Sequence, residues 1–105
     1  MLNIVEIKHL CNDDTILMTV HVRDRMKLRG IQYSDLVLAV SNGEIIEQYK
    51  DDYPYPSCLI HGYTADKRHL HAVVSIGSGR LWVITTYYPT LDKWDNNYKT
   101  RKVAK

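Results

Sequence analysis

Two histidines, His69 and His71, stand two residues apart in "HLHAVVSIGSGRLWVITTYYP", and Thr85 and Tyr87 repeat that spacing near its far end. Side chains alternate faces along a strand, so each pair points one way. Gly77-Ser78-Gly79 is a turn signal between two runs of β-formers. As a three-residue loop it pairs Ile76 with Arg80, which puts His71 opposite Thr85 and His69 opposite Tyr87. His69, His71, Thr85 and Tyr87 then share a face with Val73 and Val83, while Leu70, Ala72, Val74, Ile76, Trp82 and Ile84 take the other. A two-residue loop shifts the register by one and sets His71 beside Thr86 instead.

Two imidazoles, a hydroxyl and a phenol are suitable parts for metal-independent RNA cleavage. That reaction needs a base for the 2′-OH proton, an acid for the leaving 5′-oxygen, and donors to stabilise charge on the phosphorane. Histidine titrates near neutral pH, arginine clamps phosphate through two parallel hydrogen bonds, and tyrosine stacks on a base or donates a proton. The same side chains also serve ordinary packing on a half-buried sheet face, and the spacing alone leaves both readings open. A metal is not expected: His69 and His71 point the same way, but no matching carboxylate or cysteine cluster accompanies them. No other cofactor is expected either.

A second group of candidates lies in "HVRDRM", His21 to Met26. On a helix His21, Arg25 and Arg29 fall at i, i+4 and i+8 and make one polar stripe. Val22 and Met26 make the adjoining apolar stripe. Arg23 stands about 160° from Arg25 and faces elsewhere. A stripe of this kind is either a solvated helix face or one wall of a phosphate site.

These residues need elements to hold them. Ile4, Ile7, Leu10 and Cys11 have helical spacing over residues 3–11, and "NDD" ends that helix. "TILMT" reads as a brief strand. A second helix fits about Val20 to Arg29, with Gly30 as its stop. Ser34 is a suitable cap for a third, with Asp35 in its first turn, Leu36, Val37 and Val40 as its buried stripe, and Asn42-Gly43 as its end. Four β-rich runs follow: "GEIIEQY", "PSCLIHGY", "HLHAVVSIG" and "RLWVITTYY". Short connections between them favour an antiparallel meander. The expected architecture is α+β, with N-terminal helices packed on one face of a small antiparallel sheet.

The chain of 105 residues fits one domain, residues 1–105, with a basic tail at about 93–105 that holds Lys93, Lys99, Arg101, Lys102 and Lys105. A net charge of +2 is weak for a nucleic-acid binder, so the distribution of charge carries more than its sum. Arg29, His69, Arg80, Lys99 and Arg101 are the candidate RNA contacts beyond the reacting groups. No apolar run approaches 18 residues, and the N-terminus has no cationic lead before an apolar stretch, so a cytoplasmic location is expected. Cys11 and Cys58 lie far apart and are expected as reduced thiols, at least one of them in the core.

The ordered set of motifs resembles a bacterial and archaeal family of small proteins of formally unknown function, with features like those of RelE-type toxins. The landmarks are His21-x-x-x-Arg25-Met26, Arg29-Gly30-Ile31, Gly43-Glu44-Ile45-Ile46-Glu47 with Tyr49, and Pro56-Ser57-Cys58-Leu59-Ile60 with Gly62. Leu70-His71-x-Val73-Val74, Ile84-Thr85-x-Tyr87-x-Pro89, Trp94 and Lys99-Thr100-Arg101 complete them. Val22, Thr86 and Tyr88 depart from the residues usual at their places. The resemblance implies a fold of the barnase–EndoU–colicin–RelE type. It also implies that His21, Arg25, His71, Thr85 and Tyr87 belong together in one catalytic site, and that the partner is a YgiT-type zinc-finger antitoxin.

Two functions follow as expectations. The first is a toxin-like endoribonuclease acting on mRNA, free or on the ribosome, as one half of a toxin–antitoxin pair. The second is a noncatalytic module whose sheet edge and basic tail bind protein or RNA.

Overall fold

The first helix, α1 (Ile4–Leu10), starts at Asn3, whose side chain accepts hydrogen bonds from Val5 N and Glu6 N. The strand β1 (Ile16–Leu17) is the core of "TILMT". Thr19 caps α2 (Val20–Leu28) by accepting from Val22 N, and Val22 and Met26 are buried as the apolar stripe requires. Arg29 is the C-cap of α2, and Gly30 takes φ +68. The Ile31 amide donates to Met26 O and the Gly30 amide to Lys27 O, which is the Schellman arrangement that a glycine at this position permits.

The third helix, α3 (Tyr33–Asn42), begins two residues earlier than expected. Gln32 is its N-cap and Ser34 sits inside the first turn, so Ser34 does not cap it. Asp35 accepts the amide of Ala65 instead, tying the helix start to the β-turn region. The strands are β2 (Glu44–Tyr49), β3 (Ser57–Tyr63), β4 (His69–Gly77) and β5 (Arg80–Tyr87). The computed structural model describes residues 1–103, so Ala104 and Lys105 of the basic tail lie outside the described residues.

The class is α+β, as expected from helices followed by strands. The sheet order is β1-β5-β4-β3-β2. Four strands form the antiparallel meander; β1 adds to β5 in parallel, pairing Ile16 with Leu81 and Leu17 with Trp82. The sheet is therefore mixed and not wholly antiparallel. No hairpin joins β1 to β5, so turn geometry does not set their relative direction.

The helices cover one face. Ile7, Leu36, Val40, Cys58, Ile60, Val74 and Leu81 are fully or almost fully buried there, and both cysteines are buried free thiols. Gly62 lets α3 approach the sheet: a Cβ there would fall 1.8 Å from the carbonyl oxygen of Ala39. His61, His69, His71, Val73, Thr85 and Tyr87 take the opposite face. The segment after β5 folds back across that face. Trp94 is 2% exposed and stands edge-on to His71 with ring centres 4.6 Å apart. The strap is closed by pairing of Trp94 with Arg101 and by Lys102 N donating to Lys93 O.

Candidate functional site

The last hairpin has a two-residue turn. Gly77 pairs with Arg80, and Ser78 and Gly79 take φ 54 and 72 between them. Positive φ at both central residues is what a two-residue turn needs to match the right-handed twist of the strands. The expected register, with Ile76 opposite Arg80 and His71 opposite Thr85, is thus corrected. The simple two-residue alternative also fails, because the register shifts again between Val73 and Val74. Val74 pairs with Val83, Val73 with Thr85, and His71 with Tyr87. Ile84 is the extra residue of this bulge and is 46% exposed. Val83 joins the helix-side core, whereas Thr85 and Tyr87 return to the face of His71. His69 pairs with Tyr63 of β3, beyond the end of β5.

His71 has no exposed surface. Its Nε2 lies 2.6 Å from the carbonyl oxygen of Tyr98 and its Nδ1 lies 3.3 Å from the Tyr87 hydroxyl. A carbonyl only accepts, so Nε2 carries the proton and Nδ1 accepts from the phenol. Burial holds the His71 pKa below its ordinary value, against the opposing pull of the Tyr98 carbonyl and Glu47. Burial also raises the phenol of Tyr87. The neutral pair is the resting state at neutral pH.

His21 and Arg25 do not meet His71. They meet Thr85 at the outer edge of β5. His21, Arg25, Arg29, Ile84, Thr85 and Thr86 line a cleft of about 280 Å³ between α2 and that edge. Arg29 crosses it, its Nη1 donating to Thr86 O at 2.9 Å and reaching Thr85 Oγ1 at 3.5 Å. Past Arg29 lies a second concavity of about 440 Å³, walled by Tyr87, Lys93, Trp94 and Arg101. Arg29 lines both, and we call the two adjoining concavities the channel. Among the described residues, Arg25 and Arg29 form no ion pair. The channel therefore offers unneutralised guanidinium groups.

The remaining candidates are elsewhere. Arg80 is exposed at the hairpin and donates to Asp14 O at 3.3 Å. Lys99 pairs with Glu44 at 2.7 Å, and Arg101 grips Glu47 through Nε and Nη2 at 2.8 and 3.1 Å. Burial raises the Glu47 carboxyl, but hydrogen bonds from Arg101 and Tyr49 outweigh it and hold the pKa below the ordinary value. His69 lies under Tyr98, ring centres 4.4 Å apart, and shares one proton with His61 across 2.7 Å. His61, which the sequence reading passed over, is buried, with its pKa pushed down to about 4 by burial and by the neighbouring imidazoles. Among the described residues no group of three or more His, Cys, Asp or Glu is arranged to hold a metal ion. Arg23 does face elsewhere: with Lys27 it rims a concavity of about 510 Å³ on the other flank of α2, floored by Ile16, Met18, Met26 and Ile31. No described helix is long and apolar enough to cross a membrane.

A family model described as a domain of unknown function, DUF4258, matches residues 18–88. The match takes in α2, the sheet from β2 to β5, and all the residues of the cleft; the strap that covers His71 lies beyond it. No curated protein and no solved structure matches the chain.

Proposed function

This chain belongs to the DUF4258 family, and we propose that it is a metal-independent endoribonuclease of RelE-like type, the toxin half of a toxin–antitoxin pair. The observation that carries this reading is the channel at the edge of β5, where His21, Arg25, Arg29 and Thr85 adjoin Tyr87 and, behind it, His71. Arg25 and Arg29 hold the scissile phosphate and neutralise the extra charge of the phosphorane. Thr85 donates to a phosphate oxygen.

Proton transfer divides between the two ends. Tyr87 takes the 2′-OH proton as it passes its own proton to His71 Nδ1, so no free phenolate is needed. The 2′-oxygen attacks phosphorus, a 2′,3′-cyclic phosphate forms, and the bond to the 5′-oxygen breaks. His21, exposed on α2, protonates that leaving oxygen. His71 thus acts through Tyr87 and does not touch substrate. The 3.3 Å separation of Nδ1 and the hydroxyl is long for such a bond, as is usual before substrate tightens a site.

The partner proposed is a YgiT-type zinc-finger antitoxin, on the strength of the ordered motifs. Induction of the chain in cells tests both ideas. Growth arrest with loss of RNA integrity is expected, relieved by Arg25→Ala or by co-expression of an adjoining zinc-finger reading frame. Growth and RNA unaffected by the intact chain would reject the toxin reading. The second reading, a noncatalytic binding module, is favoured by the burial of His71 under the strap; it expects RNA retention without cleavage.

A further inference from the structure

We propose that Tyr53, Tyr55 and Trp82 form a stacking platform for one unpaired base of single-stranded RNA, next to the phosphate held by Arg25 and Arg29. The inference rests on the ribonuclease reading above and names the strand type that site takes. The bulged residue Ile84 is the link. It walls the arginine cleft on one side and, on the other, a concavity of about 390 Å³ lined by Tyr53, Pro54, Tyr55 and Trp82.

The aromatics there are held in place. Tyr55 lies against Gly77, where a Cβ would come within 2.5 Å of its ring. Trp82 donates its indole N–H to the carbonyl of the same Gly77 at 3.3 Å. The polar atom of Trp82 is therefore satisfied by backbone, and the ring contributes its apolar surface to the concavity. Tyr53 is 95% exposed beside them, so its ring is open to a stacking partner. Asp52 also lines the concavity and accepts from the Ser57 hydroxyl.

Charge decides the occupant. An apolar hollow alone suits many partners, but this one shares its Ile84 wall with the cleft of His21, Arg25 and Arg29. A base carries its own phosphate, so an aromatic hollow beside guanidinium groups with no carboxylate partner among the described residues fits a nucleotide. A base inside a duplex already stacks on both faces, so only an unpaired one offers its ring.

The test uses the full chain and a short single-stranded RNA of mixed sequence whose 2′-hydroxyls are methylated, which cannot be cleaved. Trp94 also lines the second concavity, so the part of the RNA-dependent quenching of tryptophan emission that Trp82→Leu removes reports on Trp82. Quenching is expected with the single strand and not with the same strand annealed to its complement. Tyr53→Ala and Trp82→Leu, with unchanged circular dichroism, are expected to weaken binding by roughly five- to a hundred-fold. Cleavage by the intact chain with unaltered affinity in both variants overturns the platform and leaves the nuclease standing. Quenching and binding without cleavage of unmodified RNA support the platform and reject the nuclease. No binding of the single strand by the intact chain overturns both. Emission that follows protein concentration and not RNA overturns the platform too, and gives this face to a second copy of the chain.

Discussion

The phenol of Tyr87 stands between a buried imidazole and a cationic channel, and its hydroxyl is the only polar atom it has to serve both. Tyr87→Phe keeps the ring and removes the proton path. Cleavage by the proposed reaction is expected to fall by about 10²- to 10⁴-fold, with the fold intact by circular dichroism. Arg25 acts differently, through charge and geometry. Arg25→Ala is expected to lower kcat by about 10²- to 10³-fold, and Arg25→Lys to recover only part of that, since an ammonium cannot reproduce the guanidinium fork. Measured rates on one RNA substrate check both. His21 and Arg25 were legible as a pair from their helical spacing, and the stripe does line a cleft. Their separation from His71 was not, because a fully buried histidine and an exposed one look alike in a sequence.

At the scale of elements, the hairpin depends on two small irregularities that offset one another in part. The Ser78-Gly79 turn sets one register and the bulge at Ile84 resets it, which brings Thr85 and Tyr87 back to the face of His71. The strand runs themselves were readable, since each is rich in β-formers and bounded by turn residues. The bulge was not, because Ile84 has no glycine or other local signal beside it. The strap was missed for a related reason: "DKWDNNYKTRK" has one large apolar anchor, Trp94, in a polar segment, and a single anchor has no period. Helix α3 depends on Gly62 for its close approach. Gly62→Ala forces a Cβ against the backbone of Ala39, which cannot yield as a flexible side chain would. A loss of about 1–3 kcal/mol or more is expected in urea unfolding.

Across the whole molecule, one face of the sheet is an apolar core and the other is a histidine–aromatic layer under the strap. His61, His69 and His71 all have folded pKa values below their ordinary one, with burial as the first cause, and His61 is near about 4. The unfolded chain therefore binds protons that the folded chain does not as pH falls from about 6.5 toward 4. Stability present above pH ~6.5 is lost across that window, so Tm is expected to drop there, and to drop less in His61→Asn. The Glu47–Arg101 and Glu44–Lys99 pairs clip the strap from outside; Glu47 is half-buried but Arg101, Glu44 and Lys99 are exposed, so salt is expected to change Tm little.

The central claim is that the edge of β5 cleaves RNA without metal. Its most direct measurement is incubation of the purified chain with RNA, alone in excess chelator and separately with translating ribosomes in magnesium buffer, followed by identification of the new ends. The account predicts 2′,3′-cyclic phosphate and 5′-hydroxyl ends, abolished by Tyr87→Phe and Arg25→Ala. Intact RNA in both settings would contradict it, as would cleavage that is lost on chelation or unchanged in both variants.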